Sequence, residues 1–213
     1  MKKLLVLLMF FPGFFKGQIK DTDSMKISYN NKGNSFAREN KFQKAIIEYI
    51  KAIELDANYF MGYINRGSAY AKSGKENKAM IDYNNVIEIN QIVLDTCIKR
   101  NILPNVYFFR AEVFINQKKY KEAIADYNKA IELNPNYTDA YFARGVSYSI
   151  LEKHKEAIAN YNKAIELSPT ESSVYLYRGV SKEKSGLSFC SDYKTACYLG
   201  LEKGCQWYNS QCR

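Results

Sequence analysis

The sequence predicts an all-α solenoid of about five helix-turn-helix units. Three observations carry that expectation. Small and aromatic residues recur at one shared long period. Within each period apolar residues recur at 3–4 residue steps, the spacing of one helix face. Only 4 Pro and 11 Gly occur in 213 residues, too few for a turn-rich all-β chain. With 46% hydrophobic and 25% charged residues, the chain is neither a disordered tail nor a collagen-like fibre.

The long period is read from three columns. Gly33, Gly67, Ala111, Gly145 and Gly179 are spaced by 34, 44, 34 and 34 residues. Ala45, Ala79, Ala123 and Ala157 are spaced by 34, 44 and 34, and so are Tyr49, Tyr83, Tyr127 and Tyr161. One ten-residue insertion is common to all three columns. The units therefore run over about 26–59, 60–93, 104–137, 138–171 and 172–213, with the insertion at 94–103. The unit from Thr138 illustrates the reading. Tyr141, Gly145 and Tyr148 mark a first helix, Glu152-Lys153-His154 a polar turn, and Ala157, Tyr161 and Ala164 a second helix. Ser168-Pro169 stops that helix, as Asn134-Pro135 stops the one before. The Gly and Ala columns have a steric reason, because two helices of a hairpin approach closely only where one presents almost no side chain. No unit buries its apolar face alone, and stacking buries it.

These residues resemble the tetratricopeptide repeat (TPR) family over residues 25–213. Tyr29, Gly33, Phe36, Ala45, Tyr49 and Ala52 match its pattern in the first unit, and Tyr63, Gly67, Tyr70, Ala79 and Tyr83 in the second. Tyr107, Ala111, Phe114, Ala123, Tyr127, Ala130 and Pro135 match in the third. Tyr141, Gly145, Tyr148, Ala157, Tyr161, Ala164 and Pro169 match in the fourth. The fifth keeps Tyr175, Gly179 and Ala196 with a turn about two residues short. Val86 replaces the second-helix Ala, and Ala57 and Gln91 replace Pro. The resemblance implies a right-handed superhelix whose first helices line a concave groove. Its fifth places would be Asn30, Ile64, Phe108, Phe142 and Leu176, and its ninth places Asn34, Ser68, Glu112, Val146 and Val180. It also implies a protein or peptide partner, no catalysis and no cofactor. The groove is polar at its start and apolar towards its end, which suits an extended peptide or a helix; the alternative is that these residues pack against each other or against the C-terminal helix. The carboxylate clamp of the chaperone-binding members is not matched. Asn34 fits it, but Phe108 and Glu112 stand where it needs cations.

The N-terminal residues read as an address. Lys2 and Lys3 precede an apolar run from Leu4 to Phe11, extended by Phe14-Phe15, the pattern of a secretory signal peptide over 1–17. The run falls short of the ~20 apolar residues of a spanning helix. Cleavage is expected between Gly17 and Gln18, leaving 18–24 as a short linker and a mature chain without an integral membrane span, periplasmic or secreted. An uncleaved amphipathic anchor is the alternative. No Cys lies near the cut, so lipid attachment there is not expected. The net charge is +9 and is spread along the chain, not clustered as in a nucleic-acid binder, so no nucleic acid is expected.

Two irregular places stand out. Upstream of the insertion, Val86, Ile89, Val93 and Cys97 keep the helical rhythm, which predicts a second helix lengthened by about ten residues, roughly 15 Å. Pro104 then opens the next helix. A projecting end would serve as a partner-specific knob or be a tolerated insertion. At the C-terminus stand Cys190, Cys197, Cys205 and Cys212. Residues seven apart on a helix lie ~10.5 Å apart along its axis, beyond disulfide reach, which excludes Cys190–Cys197 and Cys205–Cys212. An antiparallel hairpin turning at Gly200 to Gly204 leaves Cys197–Cys205 and Cys190–Cys212. The resulting Cys-x7-Cys link resembles the disulfide-bridged TPR relatives secreted by bacteria. A four-thiolate zinc site is the rival, without its usual paired spacing. Cys97 is expected as a buried small hydrophobe or an intermolecular bridge.

No catalytic set is found. His154 is the single His, expected in a solvated turn, and no nucleophile, base or Gly-rich phosphate loop stands outside the helix pattern. Lys32, Arg66, Arg110, Arg144 and Arg178 form a basic ladder, expected to cover apolar surface and pair with acids such as Glu48, Asp82 and Asp126. The functional expectation is an exported protein- or peptide-binding scaffold. The alternatives are a self-assembling envelope protein and, as the disulfide-bridged relatives suggest, a cell-wall or β-lactam-related binder or hydrolase.

Overall fold

The computed structural model describes residues 12–93 and 101–212. These residues form eleven helices and no strand. Contacts divide the chain into two compact units, Met1–Val93 and Leu94–Arg213.

The first unit holds α1 (Pro12–Arg38), α2 (Phe42–Leu55), α3 (Phe60–Lys72) and α4 (Glu76–Val93). The second holds α5 (Leu103–Asn116), α6 (Tyr120–Leu133), α7 (Thr138–Ile150), α8 (His154–Leu167) and α9 (Ser172–Lys184). It ends with α10 (Cys190–Tyr198) and α11 (Glu202–Gln211). The expected stops hold: α6 and α8 end one residue before Asn134-Pro135 and Ser168-Pro169, and Pro104 sits in the first turn of α5.

Each hairpin turns in the same way. Asn40, Gly74, Lys118, Glu152 and Gly186 have φ between 57° and 73° and stand at the repeat spacing. The residue after each returns its N–H to the helix just ended, as in Lys41 to Phe36 O at 2.9 Å, Lys75 to Tyr70 O at 2.8 Å and Lys153 to Tyr148 O at 2.9 Å. This is a left-handed C-terminal cap that satisfies carbonyls the helix leaves open. Gly and Asn suit it, whereas Lys118 and Glu152 adopt it against their intrinsic preference.

The Tyr column is the centre of every hairpin. Tyr49, Tyr83, Tyr127, Tyr161 and Tyr193 are all at most 1% exposed. A Cβ on Gly67, Gly145 or Gly179 would fall 2.8, 2.6 and 2.5 Å from the ring of Tyr83, Tyr161 and Tyr193. Glycine is therefore required there by a ring, not by a turn. In the third hairpin Ala111 takes the same place in the cluster around Tyr127.

Some expectations change. Residues 18–24, expected as a linker, are helical and continuous with the first repeat through α1. No Pro interrupts the sequence from Gly13 to Arg38, and Lys26 ties the helix to Asp23 at 2.7 Å and to Asp56 of the next connection at 2.6 Å. Helix α4 has 18 residues against 14 in α2, α6 and α8, so part of the expected lengthening is present. The remainder of the insertion at 94–100 with Cys97, and the apolar run up to residue 11, lie outside the described residues. The two bridges are Cys190–Cys212 and Cys197–Cys205, with Cα separations of 5.6 and 4.4 Å. They use all four thiols that a zinc site would have needed. The turn between them is shorter than expected. Gly204 lies inside α11, where a Cβ would meet Ala196 and the Cys197 backbone, so the two helices touch there. His154 likewise opens α8 and is half-buried, because the turn ends one residue earlier than its polar sequence suggested.

Candidate functional site

The inner faces of the first helices differ between the units. In the first unit, α1 and α3 bring polar groups together. Asn30 is buried and its Oδ1 accepts from Asn65 Nδ2 at 2.8 Å. Asn34 Oδ1 accepts from Tyr49 Oη at 2.8 Å. Burial pushes the Tyr49 phenol up to about 12, with the nearby Arg38 charge pulling the other way. Ile64 is buried, and Ser68 is half-buried. A cavity of about 370 Å³ opens here, lined among others by Asn34, Arg38, Tyr49, Asn65, Ser68 and Lys72. Arg38, Asn65 and Lys72 were not singled out by the sequence pattern. Their signal was spacing, since Arg38 and Lys72 stand one helical turn beyond Asn34 and Ser68.

In the second unit the corresponding faces are aromatic. Phe108 lies 5.2 Å from Tyr137 and 5.7 Å from Tyr127, ring centre to ring centre. Glu112 is exposed and its carboxylate accepts from the Tyr127 hydroxyl, which also helps burial push that phenol upward. Phe142 packs 6.0 Å from Tyr161 and 5.4 Å from Tyr177, with Val146 beside the Tyr161 cluster. Tyr177 remains 43% exposed. At Leu176 and Val180 the structure follows the alternative reading: Leu176 is buried, and both belong to the cluster that Trp207, Tyr208 and Cys212 of the last helix and its end complete. The strip narrows there because α11 is bridged back over the last hairpin. Lys203 lies 4.9 Å above the Trp207 ring, and Tyr193 packs edge-on to it at 5.4 Å.

The basic ladder is paired. Arg66 grips Asp82 with two hydrogen bonds of 2.9 and 2.7 Å, Arg110 grips Asp126 with two of 2.7 Å, and Arg178 grips Asp192 with two of 3.1 and 2.6 Å. Lys32 lies 3.3 Å from Glu48. Each Arg also sits 5.4 Å from the centre of a Tyr ring three residues earlier: Tyr63, Tyr107, Tyr141 and Tyr175. The fourth rung differs, for Arg144 bonds the amides of Asn160 at 2.7 Å and Asn128 at 2.6 Å. Burial draws the Arg144 guanidinium below its ordinary value. Around Arg66 burial pulls the same way, but the hydrogen bonds and charge of Asp82 outweigh it and the net shift is upward.

Comparison with known proteins agrees with this geometry. A family model described as TPR repeat matches residues 33–74 and 111–151. Two described as tetratricopeptide repeat match 138–171 and 62–92. Together they span more than half of the chain. A crystal structure of MamA is 26% identical with a TM-score of 0.68, over 80% of this chain and 95% of that one. MamA from Desulfovibrio magneticus RS-1 is 20% identical with a TM-score of 0.66, over 89% and 98%. YrrB, described as a TPR protein with an unusual peptide-binding site, is 19% identical with a TM-score of 0.66, over 88% and 93%. No curated protein sequence matches the chain. The repeat columns, the rings seated on Gly and Ala, and these matches place the chain in the tetratricopeptide repeat family.

Proposed function

We propose that the chain is an exported, non-catalytic scaffold that binds a protein or peptide along the faces of its first helices. The observation that carries this reading is the contrast between the two kinds of helix. The second helices bury the one Tyr ring that recurs at the repeat spacing, from Tyr49 to Tyr193, whereas the corresponding first-helix faces leave aromatic edges at the surface, with Tyr177 43% exposed against Phe142. Such half-exposed aromatics offer large contact area at small entropic cost. The peptide-binding description of YrrB agrees in fold with this reading and does not carry it. Two disulfides fit an oxidising compartment, and no described helix is long and apolar enough to cross a membrane.

The test is affinity capture with the mature chain from a cell-envelope extract, run in parallel with Tyr177→Ala and Phe142→Ser. Loss of the captured partner with unchanged helical circular dichroism supports first-helix binding. Capture that survives both changes contradicts it.

A further inference from the structure

We propose that the outer faces of α2 and α4 form a docking surface for an anionic phospholipid bilayer. The observation behind it is a departure that both hairpins of the first unit make at the same places. Ile47 and Ile81 stand one repeat apart on these helices and are 52% and 59% exposed. Lys44 and Lys78, one helical turn before them on the same faces, are exposed as well. At the matching places the second unit carries Glu122 and Ala125 on α6, and Glu156 and Ala159 on α8, all exposed. Glu and Ala are better helix formers than Ile, so the hairpin itself has no need of Ile there. One exposed apolar residue is ordinary. Two at a repeated place, each beside a Lys, make a patterned surface.

The two faces adjoin. Lys75, in the turn before α4, donates to Gln43 Oε1 of α2 at 2.9 Å. Six basic side chains, Arg38, Lys41, Lys44, Lys72, Lys75 and Lys78, stand at this end of the hairpins against Glu39 and Glu76. Glu39 is engaged by Lys41 at 2.5 Å. Lys44 and Lys78 lie 5.9 and 5.6 Å from the ring centres of Phe36 and Tyr70 and form no ion pair among the described residues. Glu54 and Glu88 stand two turns beyond the Ile pair, away from the basic end. A positive surface set with isolated apolar side chains suits the interface of an anionic bilayer. The ammonium groups meet lipid phosphates, and the two Ile side chains enter between headgroups. A bilayer needs no matching groove, whereas a partner helix does. The cavity of this unit opens on the inner faces instead. The surface therefore adds a second contact to the molecule and does not rest on first-helix binding.

The test is flotation of the full chain with vesicles of phosphatidylcholine, alone or with about one third phosphatidylglycerol. The chain should bind the anionic vesicles about tenfold tighter, and added salt should shrink that gain. Lys44→Glu with Lys78→Glu should remove the gain. Ile47→Ala with Ile81→Ala should weaken binding to the anionic vesicles about fivefold. Each change installs the residue that the second unit already carries at that place, and circular dichroism checks the fold. The reciprocal chain, with Glu122→Lys, Ala125→Ile, Glu156→Lys and Ala159→Ile, should bind anionic vesicles about tenfold tighter than the original. Brominated anionic lipid should quench an Ile81→Trp chain more than an Ala159→Trp chain, Trp207 being common to both. Equal affinity for the two vesicles overturns the surface, as does a gain that survives Lys44→Glu with Lys78→Glu. Equal quenching at 81 and 159 overturns it too. A duplex oligonucleotide bound as tightly as the vesicles, with no loss on Ile47→Ala and Ile81→Ala, overturns the bilayer in favour of a general polyanion.

Discussion

The two units share a framework and differ in what they present. In both, a buried Tyr rests on Gly or Ala of the preceding helix, and a basic residue on that helix reaches the second helix. The faces of the first helices diverge. The first unit gathers Asn30, Asn34, Asn65, Arg38 and Lys72 around a cavity, whereas the second lines up Phe108, Tyr137, Phe142 and Tyr177. The second unit also ends in a disulfide-bridged helix that closes its last cluster. The lesson is a division of labour within each repeat. Places that must touch the neighbouring helix are fixed by packing, and the places one step round the helix are free to set the chemistry of binding.

Four changes sharpen that comparison. The largest effect is expected at the shared framework. Tyr83→Ala in the first unit and Tyr127→Ala in the second should each cost about 3–5 kcal/mol, the cost of deleting a large buried ring. Urea unfolding followed by circular dichroism checks this, and very unequal costs would break the claim of a common framework. Next is the end of the second unit. Reducing both bridges should remove about 2–4 kcal/mol per bridge from that unit. Trp207 is the single Trp and packs on Tyr193, so its fluorescence reports the loss directly. A smaller effect is expected in the basic ladder. Asp126→Asn should cost about 1–3 kcal/mol by taking the carboxylate from Arg110, and Asn160→Asp should gain about 1 kcal/mol by giving one to Arg144. Thermal unfolding of the two variants should shift in opposite directions. The smallest change is Glu152→Gly at φ 59°, expected to stabilise by about 0.5–1 kcal/mol, while Asn40→Gly at φ 57° should do little. A destabilised Glu152→Gly chain would show that the turn is not held against preference.

The framework was readable from spacing because it recurs. A column such as Tyr49, Tyr83, Tyr127 and Tyr161 repeats only if each member meets the same neighbour, so periodicity already encodes packing. Its fifth member, Tyr193, was hidden because the last connection is two residues short and shifts the column to 32. The bridges were readable because helix rise excludes most pairings. The left-handed turn column escaped notice, since Asn, Gly, Lys, Glu and Gly share a conformation and not a chemistry. The cavity escaped for a different reason. Arg38 and Lys72 look like ordinary solvated ends of α1 and α3 until the two helices are placed side by side. The covering of Leu176 by the last helix depends on where α11 folds back, which no period dictates.

Site-specific photocrosslinking tests the central claim most directly. A photoreactive phenylalanine analogue is placed at Tyr177, exposed on a first helix, and separately at Ile47, 52% exposed on the second helix α2. The chain is then irradiated in a cell-envelope extract. Binding along the first helices predicts a discrete crosslinked product from position 177 and none from position 47. The reverse pattern, or equal products from both, would contradict it.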